Sequence, residues 1–384
     1  MIVRISLLNA ALCSGPQIHK MAHDDDNSPT VYEHDSMFIQ HDWEQVKSGE
    51  KFFLGLRKFG TDQSEFLNVV RGEDSVVETG LDNAKIEIVS PFFVAPTVEL
   101  SGQLHNAAVN SIDLSPSGNL IVSGDARGGL KVWNSRTAEN QRTLEGHLLD
   151  VNRCRFFSSG SLIASGGVDM TIRLWNVATG EAADILKGHI RSVTDLAILD
   201  NGTDIASCSK DGTTKIWDSV DGKCIKTWNA HSEEILTNAV AVNSRLIASG
   251  YSNGNITVYD VESANKVASV TTGSPVSSLH FTGDKLYCGI ENGEIHCFDV
   301  TSGRVISILK TVNGKVTRMG NTPAGLLVSF GTGQLLLLSD PSNSATASME
   351  FTGSDVSPVY DFTHSQDVLF SASRDKVIRK YHLK

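Results

Sequence analysis

The stretch "GHLLDVNRCRFFSSGSLIASGGVDMTIRLWN", residues 146–176, decides the fold. It begins on Gly146-His147 and ends on Trp175-Asn176, with Ser165 and Asp169 between them. A His, a Ser and an Asp this close admit two readings, a catalytic set or a structural one. The answer lies in repetition. His147 stands 28 residues before Trp175, and the same gap separates His105 from Trp133, His189 from Trp217 and His231 from Tyr259. The aromatics Trp133, Trp175, Trp217 and Tyr259 recur every 42 residues, and Phe298, Leu338 and Tyr381 follow at 39, 40 and 43. A period near 40 marks an array of small units, and it governs how any single motif is read. Seven units result.

Each unit reads as strands. "VNRCRFF", "LIASGG" and "TIRLWN" are short, rich in β-branched and aromatic residues, and bounded by Gly, Ser, Asn and Asp. The turns "SKDGTTK" and "SNGNIT" carry Asp-Gly and Asn-Gly, which supply the positive φ of tight hairpins. No amphipathic helical stretch interrupts them. The expected class is all-β, a seven-bladed propeller of four-stranded antiparallel sheets.

The Gly-His…Asp…Trp spacing of units two and three resembles the blades of WD-repeat propellers. In that family a His, a Ser or Thr, an Asp and a Trp form a buried hydrogen-bond chain in each blade. The resemblance implies the sets His147, Ser165, Asp169, Trp175 and His189, Ser207, Asp211, Trp217. Such a chain is chemically coherent: indole N–H to hydroxyl, hydroxyl to imidazole, imidazole N–H to carboxylate. Satisfied chains of this kind rigidify a core and leave no reactive atom in a cleft. Neither Ser lies in a G-x-S-x-G elbow, and the set occurs twice, so the structural reading is preferred to the catalytic one. The other units depart from the pattern. Arg127 stands in the Asp position of unit one, and Asn253 and Tyr259 replace Asp and Trp in unit four. Units five and six lack the His, and unit seven keeps Ser371 and Asp375 but has Gly353 for His.

The 384 residues carry a net charge of −11, unevenly spread. Residues 1–95 hold 8 Lys and Arg against 15 Asp and Glu; the rest hold 25 against 29. From Met21 to Val46 there are seven acids and no Lys or Arg. This argues against nucleic acid or an anionic membrane as partner, and no apolar run is long enough to span a bilayer. The six cysteines show no C-x-x-C spacing, as expected of free thiols in a cytosolic protein with no metal or cofactor. "MIVRISLLNAALCSG" has the outline of a secretory signal, but it is brief and broken by Asn9. A disordered or non-native extension over residues 1–36 is preferred, with Met21 and Met37 as alternative starts. His23, His34 and the neighbouring acids read as a metal site or, more simply, a flexible polar tail.

Residues 37–95 read as a small domain of mixed α/β type. "DWEQVKSGE" suggests a short helix capped by Asp42 and stopped by Gly49, while "KFFLGLRKF", "EFLNVVRG", "SVVETG" and "KIEIVS" suggest strands. The propeller then spans 96–384. "PTVEL", 96–100, looks like an outer strand without its own blade, and unit seven stops after its third strand. The two together suggest that 96–100 closes the last blade.

"FIQHDWEQ", "LEGHLLDVNRCRFFSSG", "SCSKDGTTKIWD" and "SPVYDF…LFSASRDKVIRKYHL" together resemble the family of proteasomal ATPase-associated factors. These are WD-repeat chaperones that assist assembly of the base of the proteasome's regulatory particle. The resemblance runs from about residue 37 to the end. It implies a monomeric, non-enzymatic protein of the cytoplasm and also the nucleus, binding the C-terminal domain of one proteasomal ATPase subunit. The contact residues it implies lie on the propeller's top face: Asp150, Asn152, Lys210, Glu234, Glu291, Tyr360 and Arg374. Two other classes stay open: a different scaffold, such as a histone-tail reader or ubiquitin-ligase adaptor, and a propeller enzyme. The last is disfavoured because no His/Asp/Glu cluster repeats across units.

Overall fold

The computed structural model describes residues 96–100, 104–229, 236–311, 314–339, 348–351 and 357–383, together with Val94 and, elsewhere, backbone strands alone. The chain divides into two compact units, Met1–Pro91 and Phe92–Lys384. The first carries strands Lys51–Arg57, Ser64–Val70, Val76–Glu78 and Lys85–Val89, where the composition suggests them. The helix expected after Asp42 lies outside the described residues, as do His23, its acidic neighbours and Cys13.

The second unit is a ring of seven sheets. Blade 1 consists of Val109–Leu114, Leu120–Asp125, Leu130–Asn134 and Asn140–Leu144, each antiparallel to the next. Blades 2 to 5 repeat this order over 151–186, 193–229, 237–271 and 276–309. Blade 6 runs from Val316 to Phe351 and gains a fifth strand, Phe92–Val94, parallel to Ala347–Phe351. Blade 7 has three strands of its own, ending in Val377–His382, and its fourth place is taken by Val98–Ser101. Glu99 lies opposite Arg379 there, with a 2.9 Å ion pair, and the Thr97 amide donates to the Lys380 carbonyl. The ring thus closes by pairing the start of the propeller with its end, which leaves no open edge at the joint.

Burial peaks at the second strand and is least at the outer one, which explains the composition of each strand. The second strand of a blade is covered on both faces, so it reads as an apolar and small-residue run, as in "LIASGG". The outer strand is mostly exposed, so it is polar, as in "NQRTL". Successive blades pack face to face. Val122, Leu130 and Val151 share one cluster with Cys154, Ile163 and Trp175. Gly166 permits the close approach: a Cβ there would meet Val193 Cγ1 at 2.7 Å. Every inner strand carries a bulge just after its first residue, between Val109 and Ser111 in blade 1 and between Val359 and Asp361 in blade 7. A bulge re-aims side chains. Here the second residue reaches sideways to the next blade.

Candidate partner-binding face

Three blades contain a complete buried chain. In blade 2, Trp175 Nε1 donates to Ser165 Oγ at 2.7 Å, Ser165 lies 2.7 Å from His147 Nε2, and His147 Nδ1 lies 2.8 Å from Asp169. In blade 3, Trp217, Ser207, His189 and Asp211 repeat it with 2.8 Å at each step. Burial raises the Asp169 pKa, but the His147 bond and the Thr171 contacts outweigh it and hold the group at about 2. Asp211 is lowered for the same reasons. Ser165 and Ser207 are fully buried and each hydroxyl accepts from an indole N–H, so neither Oγ is open to a substrate.

Blade 1 requires a correction. Arg127 does stand in the Asp position, yet the chain is complete: Trp133 to Ser123 at 3.0 Å, Ser123 to His105 at 2.7 Å, His105 to Asp125 at 2.8 Å. The carboxylate comes from two residues earlier. Asp125 also caps the turn, accepting from the Arg127 and Gly129 amides at 2.9 and 2.8 Å. Gly129 makes the room, since a Cβ there would lie 2.4 Å from Asp125 Oδ2. Blades 2 and 3 have Thr171 and Thr213 at that place, and no carboxylate needs the space.

One end of the ring is built with sevenfold regularity. In each blade the second residue of the turn between strands two and three donates its amide to the carbonyl just before the inner strand. Val168 to Asp150, Lys210 to Ser192, Glu291 to Pro275 and Arg374 to Pro358 are examples, at 2.9 to 3.0 Å. This turn places Asp150, Lys210, Glu291 and Arg374 on one rim. Glu291 is already paired with Lys315 at 2.6 Å. Asn152 ties two blades together. Its amide donates to the Val193 carbonyl at 2.6 Å and to Ser192 at 3.0 Å, tying blade 2 to blade 3. Asn110, Thr194, Asn238, Ser277 and Thr317 make the same link to the following blade. Tyr360 holds the seventh place, half-buried. In blade 4 the inner strand begins at Thr237, so Leu236 and Asn238 flank it. Glu234, placed there by sequence, lies outside the described residues.

The channel holds a constellation that the sequence reading missed. Arg153, Asp195, Arg318 and Asp361 occupy the third place of inner strands in blades 2, 3, 6 and 7, joined by Arg155 two residues after Arg153. Arg153 pairs with Asp195 at 2.7 Å and with Asp361 at 3.1 Å. Arg155 meets Asp361 at 3.0 Å, and Arg318 meets Asp195 at 3.1 Å and Asp361 at 3.6 Å. Asp361 also accepts from Ser111 and the Ile112 amide at 2.8 and 3.1 Å, and Asp195 from the Val240 amide at 3.3 Å. Two carboxylates therefore bind six blades. Burial pushes the Asp361 carboxyl up, but Arg155, Arg153 and Arg318 together hold it well below the usual range. Burial and Arg153 lower Arg318 to about 10, so it stays cationic at neutral pH. Carboxylates saturated by guanidinium groups are poor bases, and this network braces the ring. Nearby His280 has no hydrogen-bond partner at Nε2 among the described residues, and burial with Arg318 and His364 drops it to about 4. The one signal in the sequence was the column itself, an Arg followed by an Asp at the same place in repeats 2 and 3 and again in repeats 6 and 7.

Among the described residues no group of three or more His, Cys, Asp or Glu is arranged to hold a metal, and no helix is long and apolar enough to cross a membrane. Cys154, Cys208, Cys224, Cys288 and Cys297 are free, and burial pushes the Cys154 thiol up to about 12.

The WD domain, G-beta repeat family matches residues 96–134, 138–176, 180–218 and 222–260. Each matched repeat joins the outer strand of one blade to three strands of the next, so the first includes the closing strand Val98–Ser101. Over 71 residues the chain is 44% identical to Proteasomal ATPase-associated factor 1 of Bos taurus, 42% to that of Gallus gallus and 41% to that of Homo sapiens. Each match spans 18% of this chain and 18% of the relative's length. Repeats and relatives together support the resemblance to the proteasomal ATPase-associated factors. Four matched repeats, continued by three further blades into a closed ring, make this chain a seven-bladed β-propeller that carries WD repeats over residues 96–260.

Proposed function

We propose that this chain is an assembly chaperone for the base of the proteasome's regulatory particle, and that it binds the C-terminal domain of a proteasomal ATPase subunit. The observation that carries the reading is the similarity to three relatives named for association with proteasomal ATPases. Chemistry supports a binding role: the tetrads and the channel carboxylates are engaged in structural bonds, and none is left as a free base or nucleophile. The contact is made by the rim that carries Asp150, Lys210, Glu291, Tyr360 and Arg374. Asn152 contributes by holding blades 2 and 3 together beneath it. The protein works as a monomer, in the cytoplasm and nucleus.

Calorimetry of the full chain against isolated ATPase C-terminal domains tests this. One domain is expected to bind. Reversing Asp150 together with Glu234 should weaken that binding without lowering Tm, and more at low salt, because exposed charges are screened over about 8 Å at physiological ionic strength. Failure of every domain to bind the parent protein overturns the assignment. Binding unaffected by the double reversal moves the contact off this rim.

A further inference from the structure

Blades 2 and 3 carry an apolar ridge on the same rim. Leu148 is 82% exposed and Ile190 77%, and Leu149, Val168 and Met170 are exposed beside them. Single exposed apolar residues are ordinary, but a contiguous group on a soluble ring is not. Contiguity follows from the hydrogen bonds. Val168 donates its amide to the Asp150 carbonyl, which joins the Met170 turn to the Leu148–Leu149 loop. Asn152 links that loop to Ser192, next to Ile190 and Arg191. Gly128 of blade 1 lies against the same loop, since a Cβ there would be 2.5 Å from the His147 carbonyl oxygen and 3.2 Å from that of Leu149.

The ridge is also held in place. Leu148 and Ile190 are equivalent residues one blade apart, each directly after a tetrad His. Their amides donate to the tetrad carboxylates, Leu148 to Asp169 at 3.4 Å and Ile190 to Asp211 at 3.0 Å. The buried chains thereby orient the loops that turn these side chains outward. Met170 adds a second, independent sign. Its φ is +66°, in a place where five blades have glycine at positive φ: Gly128, Gly212, Gly254, Gly293 and Gly333. Blade 7 has Lys376 there, at +71°. A large side chain in the left-handed region is strained, and strain persists where the side chain serves a purpose. Methionine is an adaptable apolar contact residue.

The border of the ridge indicates what it would hold. Arg127, Lys187, Arg191 and Lys210 are exposed around it, and none has an ion-pair partner among the described residues. Against them stand Glu145 and Asp150. At this border bases outnumber acids four to two, with Asp169 and Asp211 sealed beneath the loops, whereas the chain as a whole carries a net charge of −11. We infer that the blade 2–3 ridge is a docking surface for an acidic amphipathic segment of a partner protein, whose apolar side chains cover Leu148, Met170 and Ile190 while its carboxylates face Arg127, Arg191 and Lys210. This goes beyond the proposed function, because it concerns a surface and a partner chemistry, whichever protein supplies the segment.

The test uses the full chain and a fluorescent synthetic helix with a leucine stripe flanked by glutamates. A copy with lysine in place of every glutamate is the control. Anisotropy should show the acidic peptide binding at least about tenfold more tightly than the control at low salt, with the gap narrowing as salt rises. Leu148→Ser, Ile190→Ser and Met170→Gly should each weaken it, by roughly tenfold where a buried anchor is removed. Met170→Gly should do so with Tm unchanged or raised, since glycine relieves the positive φ. Equal binding of the two peptides overturns the inference. So does binding that survives the Leu148→Ser/Ile190→Ser double variant. So does sedimentation showing that the parent dimerises and the double variant does not, which makes the ridge a contact between copies. No ATPase domain enters this assay, so failure of the chaperone assignment and failure of the ridge are separate results.

Discussion

Blades 1 to 3 and blades 6 and 7 are held together in different ways. The first three each contain a Trp–Ser–His–Asp chain, so the tie runs within a blade, from its third strand to its upper loops. Blades 6 and 7 have no such chain among the described residues. They are joined to the rest by the closing strand and by Arg318 and Asp361, which reach across the channel to Asp195, Arg153 and Arg155. Both devices bury polar groups and pair them, and in the channel Arg153 Nη1 meets Asp361 as an ion pair without a hydrogen bond. They differ in what is at stake, because each tetrad buries one carboxylate against an imidazole, whereas the channel buries five formal charges in mutual contact. Blades 2 and 3 carry both ties, blade 1 a tetrad and blades 6 and 7 the channel alone, so the two devices are independent of each other.

Breaking the channel should therefore cost most. Asp361→Ala removes the carboxylate that three buried arginines share and leaves the Ser111 and Ile112 donors without their acceptor. Removing one partner of a buried charge pair costs about 3–5 kcal/mol, so Asp361→Ala should lower stability by that order in denaturant melts. A loss below about 1 kcal/mol would mean that the arginines find water, and that the network is ornament to the ring.

The tetrads come next. Asp169→Ala, Asp211→Ala and Asp125→Ala should each cost roughly 1–3 kcal/mol, the penalty of an unsatisfied buried donor. Asp125 sharpens the comparison, since the position-by-position repeat pattern gives it no role. Equal loss in all three variants, read from thermal melts, establishes blade 1 as a full member of the set. A silent Asp125→Ala, with costly changes in the other two, would leave only two working tetrads.

Acid should separate the regions more gently. An ordinary Asp titrates near 3.9 in an unfolded chain. Asp169 is held at about 2, and Asp125, Asp211, Asp195 and Asp361 are also lowered. A depressed carboxyl contributes stability that is complete above the unfolded value and is lost as pH falls through the folded one. Tm should thus fall first between about 6.5 and 4, where unfolded His280 takes up a proton that the buried ring, held at about 4, does not, and again between about 4 and 2 as the carboxyls protonate. Asp113 works against this trend, because burial raises its pKa. In Asp169→Ala the acid decline should be shallower than in the parent; an identical decline would assign the acid sensitivity to the channel.

What was legible followed from proximity along the chain. His147 and Trp175 belong to one 31-residue stretch, so hydrogen bonding within a blade leaves a fixed spacing in the sequence. That spacing was enough for the blade count and for the strand rhythm. It misled at Arg127, because a carboxylate moved by two residues can reach the same imidazole once Gly129 clears the space. It was silent about the ridge, since nothing in "HLLD" or "VDM" says that the two loops meet until the Val168–Asp150 bond joins them.

The amino-acid sequence by itself determined the repeating unit, its all-β nature and the buried chains of blades 2 and 3, because each is written in contacts between residues fewer than about 30 apart. Only the tertiary structure decided the rest. Ring closure brings Asp361 onto Arg153, 208 residues earlier in the chain, and pairs Glu99 with Arg379. Whether a charge in an inner strand faces water or an opposite charge depends on which blades stand across the channel, and that is settled when the seventh blade meets the first.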